Sequence, residues 1–279
     1  MPEAARSGSQ KIRRRAKFGT HLRRPSQHLR TPFDTRFSAR LASREMICNC
    51  ARKLIPLSDD THSLRFPFVT IGLIVANCLV FFGWQGRIGI EESVMIAGFL
   101  PFELSQHAPD SVLHLFTAMF MHGGFMHLLG NMWFLWIFGD NVESDTGPFR
   151  FLAFYLLTGV FATLAHTATD PASRVPLVGA SGAISGVLGA YLVKHPTANI
   201  RTLIPLGFFT RIVDVPAFVF LFIWIGMQFL SEAAARGQHG GSGVAYLAHI
   251  GGFIAGAAGI FLFQNKQTQQ SRVREFERW

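Results

Sequence analysis

Two side chains able to form a catalytic pair, a serine and a histidine, each lie among small residues. Ser181 belongs to the stretch Gly-Ala-Ser-Gly-Ala-Ile-Ser-Gly at 179–186, and His249 to Ala-His-Ile-Gly-Gly-Phe-Ile-Ala-Gly at 248–256. A serine hydroxyl is a weak nucleophile until a neighbouring base takes its proton, and imidazole is suited to that task near neutral pH. We therefore hypothesise that Ser181 is a nucleophile and His249 its general base.

A third polar cluster could stabilise the negative charge that such an attack creates. It contains His122, His127 and Asn131, and His127 precedes Asn131 by one helical turn on the same face. The Asn131 amide and the backbone N–H of Ser181 are candidate oxyanion donors, and so is the His127 ring. Because no acidic residue is expected at the same depth, a Ser-His dyad is favoured over a triad with Asp.

Each of these residues also has a structural interpretation. An intramembrane serine commonly bonds the backbone of its own helix, His122 could cap a loop, and Asn131 could tie helices together. The motif H-E-x-x-H is absent, and the histidines at 122, 127 and 249 come without a carboxylate partner. The sequence therefore predicts neither a bound metal nor a cofactor.

The elements that must position these side chains are membrane helices. The chain has 279 residues, of which 49% are hydrophobic, and its mean hydropathy is +0.28; this composition is typical of membrane proteins. Gly182 and Gly186 recur one turn apart beside Ser181, while Gly252 and Gly256 share the helix face of His249. Such small-xxx-small faces allow close helix packing, so the two helices are predicted to meet there.

The apolar runs predict six spans, which places the sequence among all-α polytopic membrane proteins. The long run 113–139 is interrupted at His122-Gly-Gly, leaving an entry segment at Leu113–Met121 before a short second span. The predicted spans are Phe66–Gly86, Phe125–Phe138, Phe151–Ala168, Leu177–Val193, Val215–Ser231 and Val244–Phe263.

The distribution of Lys and Arg residues predicts how the spans are oriented in the membrane. Residues 1–65 hold 15 of the 26 Lys and Arg residues, which suggests a basic, disordered cytoplasmic tail rather than a nucleic-acid-binding segment. Residues 66–264 would form the membrane domain and 265–279 a short second tail. With both termini cytoplasmic, the second, fourth and sixth spans all run inward from the outer face. Ser181, His249 and the polar cluster near His127 then lie at a common depth.

The whole pattern resembles the rhomboid intramembrane serine proteases. The resemblance rests on H-x4-H-x3-N at 122–131, G-A-S-G at 179–182 and A-H-x-x-G-x-x-x-G at 248–256. It implies a six-helix bundle of the basic bacterial type, with Ser181 as nucleophile and His249 as base. It further implies oxyanion donors at His127 and Asn131, supporting places for His122 and Gly182, and a tie at the inner end of the second span through Glu143.

The sequence departs from many relatives at two places. Leu113-His114 stands where many relatives have Trp-Arg ahead of the first histidine. Ser185 stands where some relatives carry an aromatic residue beneath the catalytic imidazole. The first change concerns how the first loop is anchored in the bilayer, and the second predicts that His249 is positioned differently.

The resemblance leads to the expectation of an intramembrane serine endopeptidase in a bacterial inner membrane. Its partners would be the lipid bilayer and single-span membrane proteins, cut near their outer ends. An alternative is a catalytically silent relative that binds membrane helices, although such a chain would be expected to lack Ser181 or His249. A small transporter is a third alternative, but paired half-repeats and intramembrane acids are missing.

Overall fold

The computed structural model describes residues 54–61, 63, 65–206, 209–236 and 245–264. The predicted tail at 265–279 and residues 1–53 of the other tail lie outside the described residues. In chain order the elements are β1 (Ile55–Asp59), α1 (Phe68–Ile88), α2 (Ile90–Ala97), α3 (Pro101–Ser105), α4 (Ser111–Thr117), α5 (Phe125–Thr146), α6 (Pro148–Thr167), α7 (Ser181–Lys194), β2 (Asn199–Leu206), β3 (Phe209–Pro216), α8 (Ala217–Arg236) and α9 (Tyr246–Phe263).

Four of these helices are long and apolar enough to cross a membrane: α1, α6, α8 over Ala217–Ala234, and α9. The segment Ser111–Phe120 and α5 form a fifth candidate, because together they pass the same test with a bend of 83° between them. The break falls at residues 121–124, as His122-Gly-Gly predicts. Beyond the break α5 continues to Thr146, well past the predicted end at Phe138.

Helix length does not confirm the prediction of six spans. The fourth predicted span, Leu177–Val193, contains α7, which begins only at Ser181 and has 14 residues. A helix of that length extends about 21 Å, whereas the hydrocarbon core of a bilayer is about 30 Å thick. Every residue of α7 from Ala183 to Tyr191 is buried. It is therefore a central helix enclosed by its neighbours, and the described residues hold four or five membrane-crossing candidates.

The described residues are mostly helical, as predicted, but the all-α prediction missed an antiparallel sheet formed by β1, β2 and β3 in that order. The missed signal is a hairpin rich in β-branched residues, Asn-Ile-Arg-Thr-Leu-Ile paired with Thr-Arg-Ile-Val-Asp-Val. Ile200 and Thr202 alternate with exposed Arg201 in the way expected of a half-buried strand. Val215, predicted to open a span, lies in β3 instead, where it pairs with Ile200, and α8 begins at Ala217.

The boundary predicted at residue 65 also needs correction. β1 lies before it, yet this strand pairs with β2 and is bonded to α5. The indole N–H of Trp133 donates to the Pro56 carbonyl at 2.6 Å, and the Asn141 amide donates to Asp59 at 2.9 Å. Sequence composition could not reveal these long-range contacts, so Ile55–Asp59 belongs to the folded domain.

A carboxylate holds the start of α1 against the far end of α5. Glu143 accepts hydrogen bonds from the backbone N–H groups of Val69 and Thr70, at 2.9 and 2.7 Å, and from the Thr70 hydroxyl at 2.8 Å. These N–H groups belong to the first turn of α1 and have no partner within their own helix. Glu143 thus ties the C-terminal part of α5 to the start of α1, which is the kind of tie that the resemblance implied.

Candidate active site

Ser181 is placed by a sharp backbone turn at the start of α7. Gly179, two residues earlier, has φ of +117°, a conformation that favours glycine. Its N–H donates to the Ala118 carbonyl at 2.8 Å, which ties the turn to the short 3-10 segment after α4. Ser181 is the first residue of α7, so its own N–H has no acceptor within the helix.

His249 lies in the first turn of α9 with its ring against Ser181. The distance from His249 Nε2 to Ser181 Oγ is 2.8 Å, which is a hydrogen bond. The other ring nitrogen, Nδ1, lies 2.9 Å from Oε1 of Gln228 on α8. The structure therefore brings together the serine and the histidine that the small-residue stretches singled out, and it adds a third polar group behind the imidazole.

Glycines allow α7 and α9 to approach closely enough for this contact. A Cβ at Gly252 would overlap the carbonyl oxygen of Gly182, and a Cβ at Gly256 would overlap that of Gly186. Gly182 is also tight on its other side, where a Cβ would lie 2.7 Å from the Cβ of Ala162 on α6. The four glycines thus form the contact between the helices that carry Ser181 and His249.

The polar cluster of α5 lies beside the turn that precedes Ser181. A Cβ at Gly179 would be 2.8 Å from Cε1 and Nε2 of His127 and 3.6 Å from Nδ2 of Asn131. Both side chains therefore point at the backbone just before the serine. Asn131 is 7% exposed, and its Nδ2 has no hydrogen-bond partner among the described residues. An unpaired buried donor of this kind is available to a substrate oxygen.

His122 supports the start of α5 and lies behind His127. It is fully buried, and its ring meets the His127 ring edge-on with centroids 5.2 Å apart. Its backbone is held on both sides by Gln85 of α1: the His122 N–H donates to Gln85 Oε1 at 3.0 Å, and Gln85 Nε2 donates to the His122 carbonyl at 3.1 Å. This geometry suits a supporting residue.

Ser181, His249, His127 and Asn131 face one cavity of about 630 Å³. His127, Ser181 and His249 all lie in the first turns of their helices, so the starts of α5, α7 and α9 converge there. A helix start carries partial positive charge, and three together favour a developing oxyanion. The lining residues are Gly123, Met126, His127, Gly130, Asn131, Phe134, Ser181, Ile184, Ser185, Leu188, Trp224, Gln228, Ala245 and His249.

Sequence reasoning missed the contribution of α8. Trp224 packs on the His249 ring with centroids 6.1 Å apart and planes 35° apart, and Gln228 bonds the same ring. Ser185, in contrast, donates its hydroxyl to the Ser181 carbonyl at 2.7 Å. The sequence did contain a signal for Gln228, because a lone glutamine inside the apolar run 215–231 is costly in a membrane unless it has a partner.

The described residues show no cluster of three or more His, Cys, Asp or Glu side chains that could hold a metal ion. The first departure noted in the sequence, Leu113-His114, lies apart from the pair. His114 of α4 lies 3.4 Å from Glu103, and Leu113 is 59% exposed. Neither residue lines the cavity.

The fold and the site define an integral membrane protein with a Ser-His pair at the start of a buried helix. Residues 109–266 match the Rhomboid domain, and the chain belongs to the rhomboid family.

Three curated relatives illustrate the similarity. The chain is 32% identical over 193 residues to rhomboid protease GluP of Bacillus subtilis (strain 168), which covers 69% of this chain and 35% of that protein. It is 30% identical over 205 residues to RHOMBOID-like protein 12, mitochondrial, of Arabidopsis thaliana, covering 68% of this chain and 56% of that protein. It is 30% identical over 172 residues to the human presenilin-associated rhomboid-like protein, mitochondrial, covering 60% and 44%. The chain thus spans only about a third to just over half of each relative's length.

Proposed function

We propose that this chain is an intramembrane serine endopeptidase that uses a Ser181–His249 dyad. The observation that carries the proposal is the 2.8 Å hydrogen bond between Ser181 Oγ and His249 Nε2, facing a cavity rich in donors. A base within hydrogen-bond reach of a serine is the geometry required for nucleophilic catalysis. The name of the Bacillus subtilis relative, a rhomboid protease, supports the same activity.

The reaction follows from the positions of the donors and acceptors. As Ser181 Oγ bonds the carbonyl carbon of the scissile peptide, its proton passes to His249 Nε2. The oxyanion that forms is met by the Asn131 amide, the His127 ring and the Ser181 N–H. His249 then gives its proton to the leaving amine as the C–N bond breaks. Water, deprotonated by the same imidazole, hydrolyses the acyl-enzyme and restores Ser181.

The proposed substrates are single-span membrane proteins. A peptide bond inside a helix is hydrogen-bonded and shielded, so the segment to be cut must unwind before its carbonyl can reach Ser181. Small or helix-weakening residues around the cut would make this unwinding less costly. The charge distribution supports cytoplasmic termini and cleavage near the outer face. A bacterial inner membrane is proposed from the resemblance to the basic bacterial type of rhomboid.

Cleavage of a reconstituted single-span substrate tests the dyad. Ser181→Ala and His249→Ala should each abolish cleavage in proteoliposomes, and the double variant should be scarcely worse than either, because residues that act as a unit are not additive. Ser185→Ala is the matched control: it lies one turn along α7 and removes a hydroxyl that bonds only the Ser181 carbonyl. Near-full activity in either single variant would refute the dyad.

Labelling by a fluorophosphonate separates the protease from a silent helix-binding relative. An activated serine reacts with this probe, so wild-type protein should be labelled and Ser181→Ala should not. A folded wild-type protein that retains a single-span peptide but takes up no label would favour the binding protein.

A further inference from the structure

α8 presents two side chains to the catalytic imidazole from the side opposite Ser181. Trp224 and Gln228 are four residues apart and therefore share one face of the helix. Trp224 packs on the His249 ring and also stacks on Phe253 of α9, with centroids 6.2 Å apart. Neighbours on the other face, Phe222 and Phe229, are 61% and 54% exposed. The polar residue of this helix is thus turned inward, onto His249.

The hydrogen bond from His249 to Gln228 has a definite direction. If His249 is to accept the Ser181 proton, its Nε2 must carry a free lone pair, and the neutral ring must then hold its hydrogen on Nδ1. That N–H donates to Oε1 of Gln228 at 2.9 Å. With Oε1 as its partner, the ring is held in the tautomer that can act as a base. The same bond becomes charge-assisted, and therefore stronger, when the imidazole is protonated.

We propose that Gln228 is a positioning residue for the reaction, fixing the tautomer and orientation of His249. This inference rests on the proposed protease function and deepens it. Gln228 occupies the place that a carboxylate takes in a Ser-His-Asp triad, while Trp224 restrains the ring plane. The Ser185 hydroxyl does not restrain the imidazole, because it is bonded to the Ser181 carbonyl. Trp224 and Gln228 together provide that restraint instead.

The alternative is that Gln228 bonds His249 only to satisfy its own amide within an apolar helix. The two roles predict changes in different measured quantities when Gln228 is replaced. A positioning residue affects the chemical step and the reactivity of Ser181, whereas a merely structural one affects melting temperature. Since Gln228 also lines the cavity, a substrate-binding role is a further rival, and it would act on KM.

Variants of Gln228 that remove or keep the acceptor oxygen for His249 distinguish these roles. In reconstituted full-length protein, Gln228→Met and Gln228→Leu should lower kcat about 10- to 100-fold with KM nearly unchanged, because the imidazole loses its orienting acceptor. Fluorophosphonate labelling should slow in parallel. Gln228→Glu keeps an acceptor oxygen at the same reach and should restore kcat to within a few-fold of wild type. Phe229→Leu, the adjacent exposed position, is the control and should change neither quantity.

Three results would overturn the inference: unchanged kcat in both apolar variants, a change confined to KM, or a folded Gln228→Glu as inactive as Gln228→Met.

A spectroscopic readout stands apart from the protease activity. Nitrogen-15 shifts of His249 should report the Nδ1–H tautomer in wild-type protein and a mixture of tautomers in Gln228→Met. A wild-type chain that cuts nothing but shows this difference would refute the proposed function and retain the positioning role. Identical shifts in both proteins would refute the positioning role alone.

Discussion

Replacing Gly252 should inactivate the site without touching any catalytic group. A Cβ there would overlap the Gly182 carbonyl oxygen, and it would lie 3.1 Å from the Gly182 carbonyl carbon and 3.3 Å from the Ala162 Cβ. Carbon atoms pack best at about 3.5–4.0 Å. α9 must therefore retreat from α7 by roughly 1 Å even for Gly252→Ala, and further for Gly252→Val. Because Gly182 follows Ser181 directly, the retreat separates the serine from His249.

The size of the loss follows from that displacement. A shift of about 1 Å in a catalytic constellation can cost about 10²-fold in rate, so Gly252→Val should lose at least that much cleavage activity. Fluorophosphonate labelling of Ser181 should fall in step, since it depends on the same hydrogen bond.

The assay compares cleavage, labelling and melting temperature on one preparation in proteoliposomes. Gly259→Ala is the matched control, because it lies on the same helix and its added Cβ would meet only Phe154, at an ordinary 3.9 Å. It should keep near wild-type activity. If Gly252→Val labels at the wild-type rate, the close contact between α7 and α9 does not set the serine–histidine distance, and the reasoning fails.

Three further predictions concern the surroundings of the pair. Asn131→Ala should lower kcat on the order of 10²–10³-fold, the usual cost of one oxyanion donor, whereas a lower melting temperature with preserved specific activity would indicate a packing residue. Gly179→Ala should abolish activity, because the added Cβ meets the His127 ring and the backbone φ of +117° disfavours alanine; Gly72→Ala, with open space around it, is its control. Glu143→Ala should destabilise the protein on the order of 3 kcal/mol by removing the bonds to the start of α1, visible as a lower melting temperature that Gly72→Ala does not reproduce.

The proximity of Ser181 and His249 could be predicted from the sequence. Position along a span predicts the depth of a residue, and helical periodicity predicts which residues share a face. Alternate spans were expected to run in the same direction, so residues near the starts of the second, fourth and sixth predicted spans were expected to share a depth. The recurrence of glycine beside each residue then indicates the facing surfaces. The structure places Ser181 and His249 in the first turns of α7 and α9 and puts glycines between these helices.

Other features depend on contacts that no local pattern encodes. The sheet was missed because β3 runs directly into the apolar helix α8, so Val215 was taken as the start of a span. β1 was assigned to a tail because only its pairing with β2, some 140 residues later, makes it a strand. Gln228 was overlooked because its partner, His249, lies on the next helix. The relative position of residues on two different helices cannot be obtained from their spacing in the sequence.

The sheet gives α8 one fixed end. β3 runs straight into this helix, the Ala217 N–H donates to the Ala198 carbonyl at 2.7 Å, and β1 is bonded to α5 through Trp133. Gln228 lies eleven residues further along, about 17 Å from that anchor. A tilt of α8 about this anchor by about 3° would displace the Gln228 amide by about 1 Å, enough to weaken its bond to His249.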